Sequence, residues 1–116
     1  MKRALIVGVF IVATSHGAYA VQMFENGNQL LQSCTQTDTF SQALCMGYVE
    51  GIADEVALVQ SFNKSPSCIP PGVVVKQLVD VVVKSLRQKP ETRNSEAALL
   101  ATAAFAEAWP CSDIKK

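Results

Sequence analysis

The sequence predicts an all-α fold: a compact domain of four helices or slightly more, closed by two intramolecular disulfides and preceded by a cleaved signal peptide. Three observations carry this. Apolar residues recur at three- and four-residue spacing through four stretches separated by turn residues. The chain's four cysteines, an even number, all lie from position 34 onward. Its first twenty residues have the build of a secretory leader.

Met1-Lys2-Arg3 forms a short positive head, and an apolar run follows from Ala4 to Ala13. Ala18-Tyr19-Ala20 fits the small-x-small pattern at which leaders are cut. The run is too short for a membrane span, which needs roughly 20 apolar residues. No cysteine stands immediately after the cut, where Val21 is found, so no lipid anchor is expected. Residues 1–20 are therefore read as signal peptide and 21–116 as one helical domain, with no membrane insertion of the mature chain. The leader removes Lys2 and Arg3, leaving ten acidic residues against eight basic ones. Such a surface lacks the clustered basic face of a nucleic-acid binder.

In a short exported chain, Cys34, Cys45, Cys68 and Cys111 read as a disulfide framework. There is no C-x-x-C, the spacing of thioredoxin-like pairs and zinc ribbons. Sequence alone leaves three pairings open.

The first helix is predicted from about Asn26 to Ser33, with Leu30, Leu31 and Cys34 on one side and Asn26-Gly27-Asn28 as its cap. Thr37-Asp38-Thr39 interrupts it and supplies the next cap. The second helix, about Ser41 to Ser61, gathers Cys45, Tyr48, Val49, Ile52, Val56 and Val59 on one face. Gly47, Gly51 and Leu58 form a neighbouring stripe. Glycine within a helix costs up to about 1 kcal/mol against alanine, so two glycines one turn apart suggest the close approach of another backbone. Asn63 to Ser67 reads as a loop, and Cys68-Ile69-Pro70-Pro71-Gly72 cannot continue a helix.

The third helix, about Val73 to Gln88, is rich in valines that favour a strand on propensity. Spacing decides for helix: Val75, Leu78, Val79, Val82 and Leu86 keep the 3–4 rhythm, with Lys76, Asp80, Lys84 and Arg87 opposite. Val74, Val81 and Val83 widen the apolar arc, so this helix is either central or shares a face with a partner. The fourth helix, capped by Asn94 or Ser95, runs through about Ala108, with Leu99, Thr102, Ala103, Ala106 and Trp109 along one side. Helices three and four should run antiparallel, placing Cys68 and Cys111 at the same end. Cys34 and Cys45 bracket the turn between the first two helices. Cys34–Cys45 and Cys68–Cys111 are thus the favoured pairs.

Chemistry is sparse. The only histidine, His16, sits in the leader, so Ser-His-Asp and Cys-His arrangements are unavailable. Asp54 and Glu55 are sequence neighbours that point about 100° apart on a helix and cannot share a proton. No metal-ligand cluster or phosphate loop is found, and no cofactor is expected. A binding protein, not an enzyme, is the reading.

Several motifs together are familiar: Gly27-Asn28-Gln29-Leu30-Leu31 with Cys34, Cys45-Met46-Gly47-Tyr48-Val49-Glu50-Gly51, Cys68-Ile69-Pro70, Lys89-Pro90-Glu91, and Trp109-Pro110-Cys111. Across nearly the whole mature chain they resemble the Rap/Tai immunity proteins, which guard bacteria against peptidoglycan amidases delivered by type VI secretion. The resemblance implies a small periplasmic α-helical protein, often a homodimer, that binds a cognate amidase effector and blocks its active site. Two positions depart from the family pattern. Val74 stands where a capping threonine is usual, leaving Gly72 to cap, and Ser85-Leu86-Arg87-Gln88 lacks the usual aromatic. The wide arc of the third helix is the expected dimer or partner face. The residues picked for partner contact are Phe62, Asn63, Lys64 and Ser65, an aromatic beside polar groups in an exposed loop. The rival readings are a periplasmic acid-stress or holdase-type chaperone, against which the 17% charged content counts, and an accessory subunit of an exported protein.

Overall fold

The computed structural model describes residues 23–111; the leader read at residues 1–20 lies outside the described residues. The described chain forms α1 (Gly27–Thr35), α2 (Thr39–Phe62), α3 (Val75–Gln88), a 3-10 turn at Pro90–Thr92, and α4 (Ala97–Ala108). The only β pairing among the described residues is an isolated antiparallel bridge between Asn26 and Glu96.

That bridge zips two helix N-termini together. The Asn26 side chain accepts the Gln29 N–H at 3.0 Å, while Gln29 Oε1 accepts the Asn26 N–H at 2.9 Å. This reciprocal box uses two of the donors that a helix start leaves orphaned. The Gly27 and Asn28 amides donate to the carbonyls of Ser95 and Arg93, and in return Ala97 donates to Glu25. The cap expected at Asn94 or Ser95 is consequently misplaced. Glu96 holds the N-cap position of α4 without a side-chain bond, because the Glu25 carbonyl already takes the Ala97 N–H.

Asp38 starts α2 as expected, its carboxylate accepting the Ser41 N–H at 2.9 Å. The inward face of α2 buries Cys45, Val49 and Ala53, with Tyr48, Ile52 and Val56 packed at its margin. Val59 stays exposed. The close backbone approach expected at Gly47 and Gly51 does not occur among the described residues. A Cβ built on either would meet nothing within 4 Å, because this side of α2 faces solvent.

The third helix begins at Val75, since Val74 is extended and has no polar side chain to cap with. Gln77 substitutes, its Oε1 accepting the Val74 N–H at 3.0 Å. Gly72 does not cap; it turns the chain at φ 89°, a left-handed conformation that glycine adopts without penalty. Helix α3 packs against α1, α2 and α4 alike, which is why its apolar arc is so wide. Leu78, Val82 and Leu86 are buried and Val75, Val79, Val81 and Val83 half-buried. The arc is covered by the chain's own helices, so the partner face expected there is largely used up.

Helix α4 turns a different side inward from the one expected. Ala97, Ala101, Ala104 and Phe105 are buried, whereas Leu99, Thr102, Ala103 and Ala106 are exposed. Nearly every residue of α4 is apolar, so periodicity offers no contrast from which to choose a face. The small alanines let α4 approach closely, and Phe105 fills the centre with Leu30, Val49 and Val82. Trp109 stacks at the edge of this core, 6.2 Å from Phe105 between ring centroids.

Both favoured disulfides form, Cys34–Cys45 and Cys68–Cys111, each with Cα atoms 5.0 Å apart. The first ties the α1–α2 corner and the second the free ends of the α3–α4 pair. With sequence separations of 11 and 43 residues, loop-closure entropy assigns them about 3 and about 4 kcal/mol.

Candidate functional site

The loop that leaves α2 is held by its own backbone. Lys64 donates to the Ser61 carbonyl at 2.9 Å and Ser65 to the Gln60 carbonyl at 2.9 Å. These two bonds make a Schellman ending, in which the residue after the cap adopts the left-handed conformation. Lys64 occupies that position at φ 54°. Glycine is usual there, because an L side chain in this region costs roughly 1–2 kcal/mol. A strained lysine at an exposed tip marks a place where a side chain is retained despite its cost.

Gln60 fastens the other end of the loop. Its Oε1 accepts the Cys68 N–H at 3.1 Å, and its Nε2 lies 3.3 Å from Cys68 Sγ and 3.5 Å from Cys111 Sγ. One side chain thereby joins the last turn of α2 to the disulfide that closes α3 on α4. Gln60, Ser65, Pro66, Ser67, Cys68, Pro110 and Cys111 line an open groove of about 400 Å³ beside it. Sequence reasoning missed Gln60, whose role depends on the disulfide lying against α2.

Phe62, Asn63, Lys64 and Ser65 stand together at this tip. Phe62 ends α2 and is 77% exposed; Asn63 is the C-cap, and all four are exposed. Lys64 is the only basic residue of the loop. The tip offers one aromatic ring, one cation and short polar side chains on a pre-shaped backbone, the equipment of a protein contact.

Two titrations are shifted elsewhere. Asp38 is held below its ordinary value of 3.8, chiefly by the hydrogen bond it accepts from the Ser41 backbone N–H, with the neighbouring Ser41 side chain adding to the shift. Burial raises Tyr48 above 10.0, and the charge of Glu25 adds to the shift. Asp54 and Glu55 are both exposed on α2. No group of three or more His, Cys, Asp or Glu residues placed to hold a metal ion occurs among the described residues. No helix among them is long and apolar enough to cross a membrane.

With the geometry in place, comparison with known proteins gives one match. A family described as Rap1a immunity proteins matches residues 26–111, from the N-cap of α1 to the last cysteine. No curated protein and no solved structure matches the chain.

Proposed function

The chain belongs to the Rap1a immunity protein family, and from that premise we propose that it binds and inhibits a peptidoglycan amidase effector of type VI secretion in the periplasm. The observation that carries this is the extent of the match, which takes in all four helices, both disulfides and the pre-shaped loop between them. Its action is binding and not catalysis.

Two further features support the reading. All four cysteines are bonded, the state that an oxidising compartment maintains, and the leader at residues 1–20 provides the route there. A protein inhibitor also gains from rigidity, because ordering is then complete before binding. The candidate tip has that property, tied by the Schellman bonds and by Gln60 to the Cys68–Cys111 bridge. Asn63, Lys64 and Ser65 would enter the effector's cleft, with Phe62 at their base.

The test is a rescue from toxicity. An amidase-type effector encoded beside this gene is directed to the periplasm with and without the protein, and lysis is followed. Rescue is expected, and it should vanish when residues 1–20 are deleted. Lysis despite full accumulation of the folded protein would reject this effector class.

A further inference from the structure

Between α2 and α4 the fold leaves an open, mainly apolar groove of about 340 Å³. Glu55, Val56 and Val59 form its α2 wall, and Leu99 and Thr102 face them from α4. Val59 is 49% exposed and Leu99 55%. Val59, expected on the inward face of α2, thus reaches this groove and not the core. Met23, at the start of the described chain, lies in the same groove.

The chain comes to this groove from a fixed point. The Glu25 carbonyl accepts the Ala97 N–H at 2.9 Å, which pins the segment against the first turn of α4. Two residues earlier Met23 lies beside Leu99 and Thr102, whereas Phe24 is 96% exposed. Backwards from Glu25, the segment therefore follows α4 from Ala97 towards Thr102. In an extended chain successive side chains alternate, and each residue adds about 3.3 Å. Val21 returns to the side of Met23 roughly 7 Å further along the groove. Cleavage after Ala20 makes Val21 the first residue of the exported protein, and its backbone nitrogen becomes an α-ammonium.

We propose that the amino terminus released by leader cleavage docks in this groove, the Val21 side chain covering Val59 and Leu99 and the α-ammonium pairing with the Glu55 carboxylate. The groove matches that occupant, an apolar side chain joined to a cation. Glu55 stands one turn before Val59 on α2, so a residue that covers Val59 brings its own amine within reach of the acid. The two ion pairs of the described residues are Lys76–Asp80 and Lys89–Glu107, and Glu55 belongs to neither. Before cleavage the same nitrogen is an uncharged peptide N–H joined to Ala20, and it has no charge to offer Glu55. Removal of the leader thus supplies the group that fastens the first segment of the mature chain to α2 and α4. The proposal rests on a cut after Ala20 and does not depend on the immunity reading.

The test uses protein exported with its leader and purified with both disulfides formed. Its mass should be that of residues 21–116; a chain that begins elsewhere overturns the proposal at its premise. With methyl groups labelled, nuclear Overhauser contacts should join the Val21 methyls to those of Val59 and Leu99, and Leu99→Asp should abolish them. At neutral pH an acylating reagent selects the α-amine over the lysines, because its ordinary pKa is lower by more than about two units. Pairing with Glu55 holds that amine protonated, so Glu55→Gln should speed its labelling about two- to fivefold, the loss expected of an ion pair at the surface. Absence of the Val21 contacts overturns the proposal, as does a labelling rate unmoved by Glu55→Gln. Contacts that prove intermolecular in a mixed-label sample assign the groove to a second copy and overturn it too. If Val21 is free in the wild type while Leu99→Asp lowers effector inhibition, the groove belongs to the effector and the proposal is equally overturned.

Discussion

The same substitution at two glycines should have opposite consequences, and the reason is purely geometric. At Gly51 an added methyl meets nothing within 4 Å. Alanine there gains helix propensity without a clash, so Gly51→Ala should stabilise the chain by about 0.5–1 kcal/mol. Gly27 is buried where the starts of α1 and α4 meet. A Cβ there would lie 2.5 Å from Leu100 Cδ1, 3.0 Å from the Arg93 carbonyl oxygen and 3.1 Å from Arg93 Cα. The leucine tip can rotate away, but the Arg93 backbone cannot, because its carbonyl also receives the Asn28 N–H at 2.9 Å. Overpacking of this kind costs about 1–3 kcal/mol. After the gain in propensity, Gly27→Ala should still destabilise by about 1–2 kcal/mol. The assay is urea unfolding with disulfides intact. A slope near 1 kcal/mol/M would move the midpoint down by about 1–2 M for Gly27→Ala and up for Gly51→Ala. A midpoint for Gly27→Ala at or above wild type would refute the claim that these two helix starts are packed to backbone contact.

Three further outcomes follow from the same structure. Lys64→Gly should raise stability by up to about 1 kcal/mol in thermal or urea melts, because it relieves the left-handed lysine, while weakening effector inhibition in a titration. Replacing Cys68 and Cys111 by serine should cost about 4 kcal/mol, and replacing Cys34 and Cys45 about 3, the longer loop losing more; equal losses would contradict the closure argument. Stability should fall at both extremes of pH, read as the urea midpoint against pH. The contribution of Asp38, whose folded pKa lies below 3.8, is complete above that value and is lost as pH falls through the folded pKa. The contribution of Tyr48, raised above 10.0, is complete below 10.0 and is lost as pH rises through its folded pKa. Tyr48→Phe should therefore flatten the alkaline limb alone.

The sequence by itself determined the elements that depend on contrast between neighbouring residues. The polar–apolar alternation of α1, α2 and α3 revealed their inward faces, and the caps at Asn26 and Asp38 are local chemistry. The disulfide pairing was legible because short connections oblige consecutive helices to return, which brings the flanking cysteines together. Asn63 to Ser65 were legible as an exposed loop, whereas Phe62, placed in that loop by sequence, closes the last turn of α2, and the strain at Lys64 was not legible.

Only the tertiary structure decided the rest, each time because the deciding neighbour is remote in sequence. The inward side of α4 had no local contrast and was set by what α3 presents to it. The start of α4 is capped by Glu25, some seventy residues earlier, and Gln60 finds its role only once Cys111 has arrived beside it. The glycines of α2 signalled close approach, yet the same signal could serve a neighbour within the chain or a surface awaiting another molecule. Among the described residues folding chose the surface, because the core needs one face of α2 and none of the other three helices covers the opposite one.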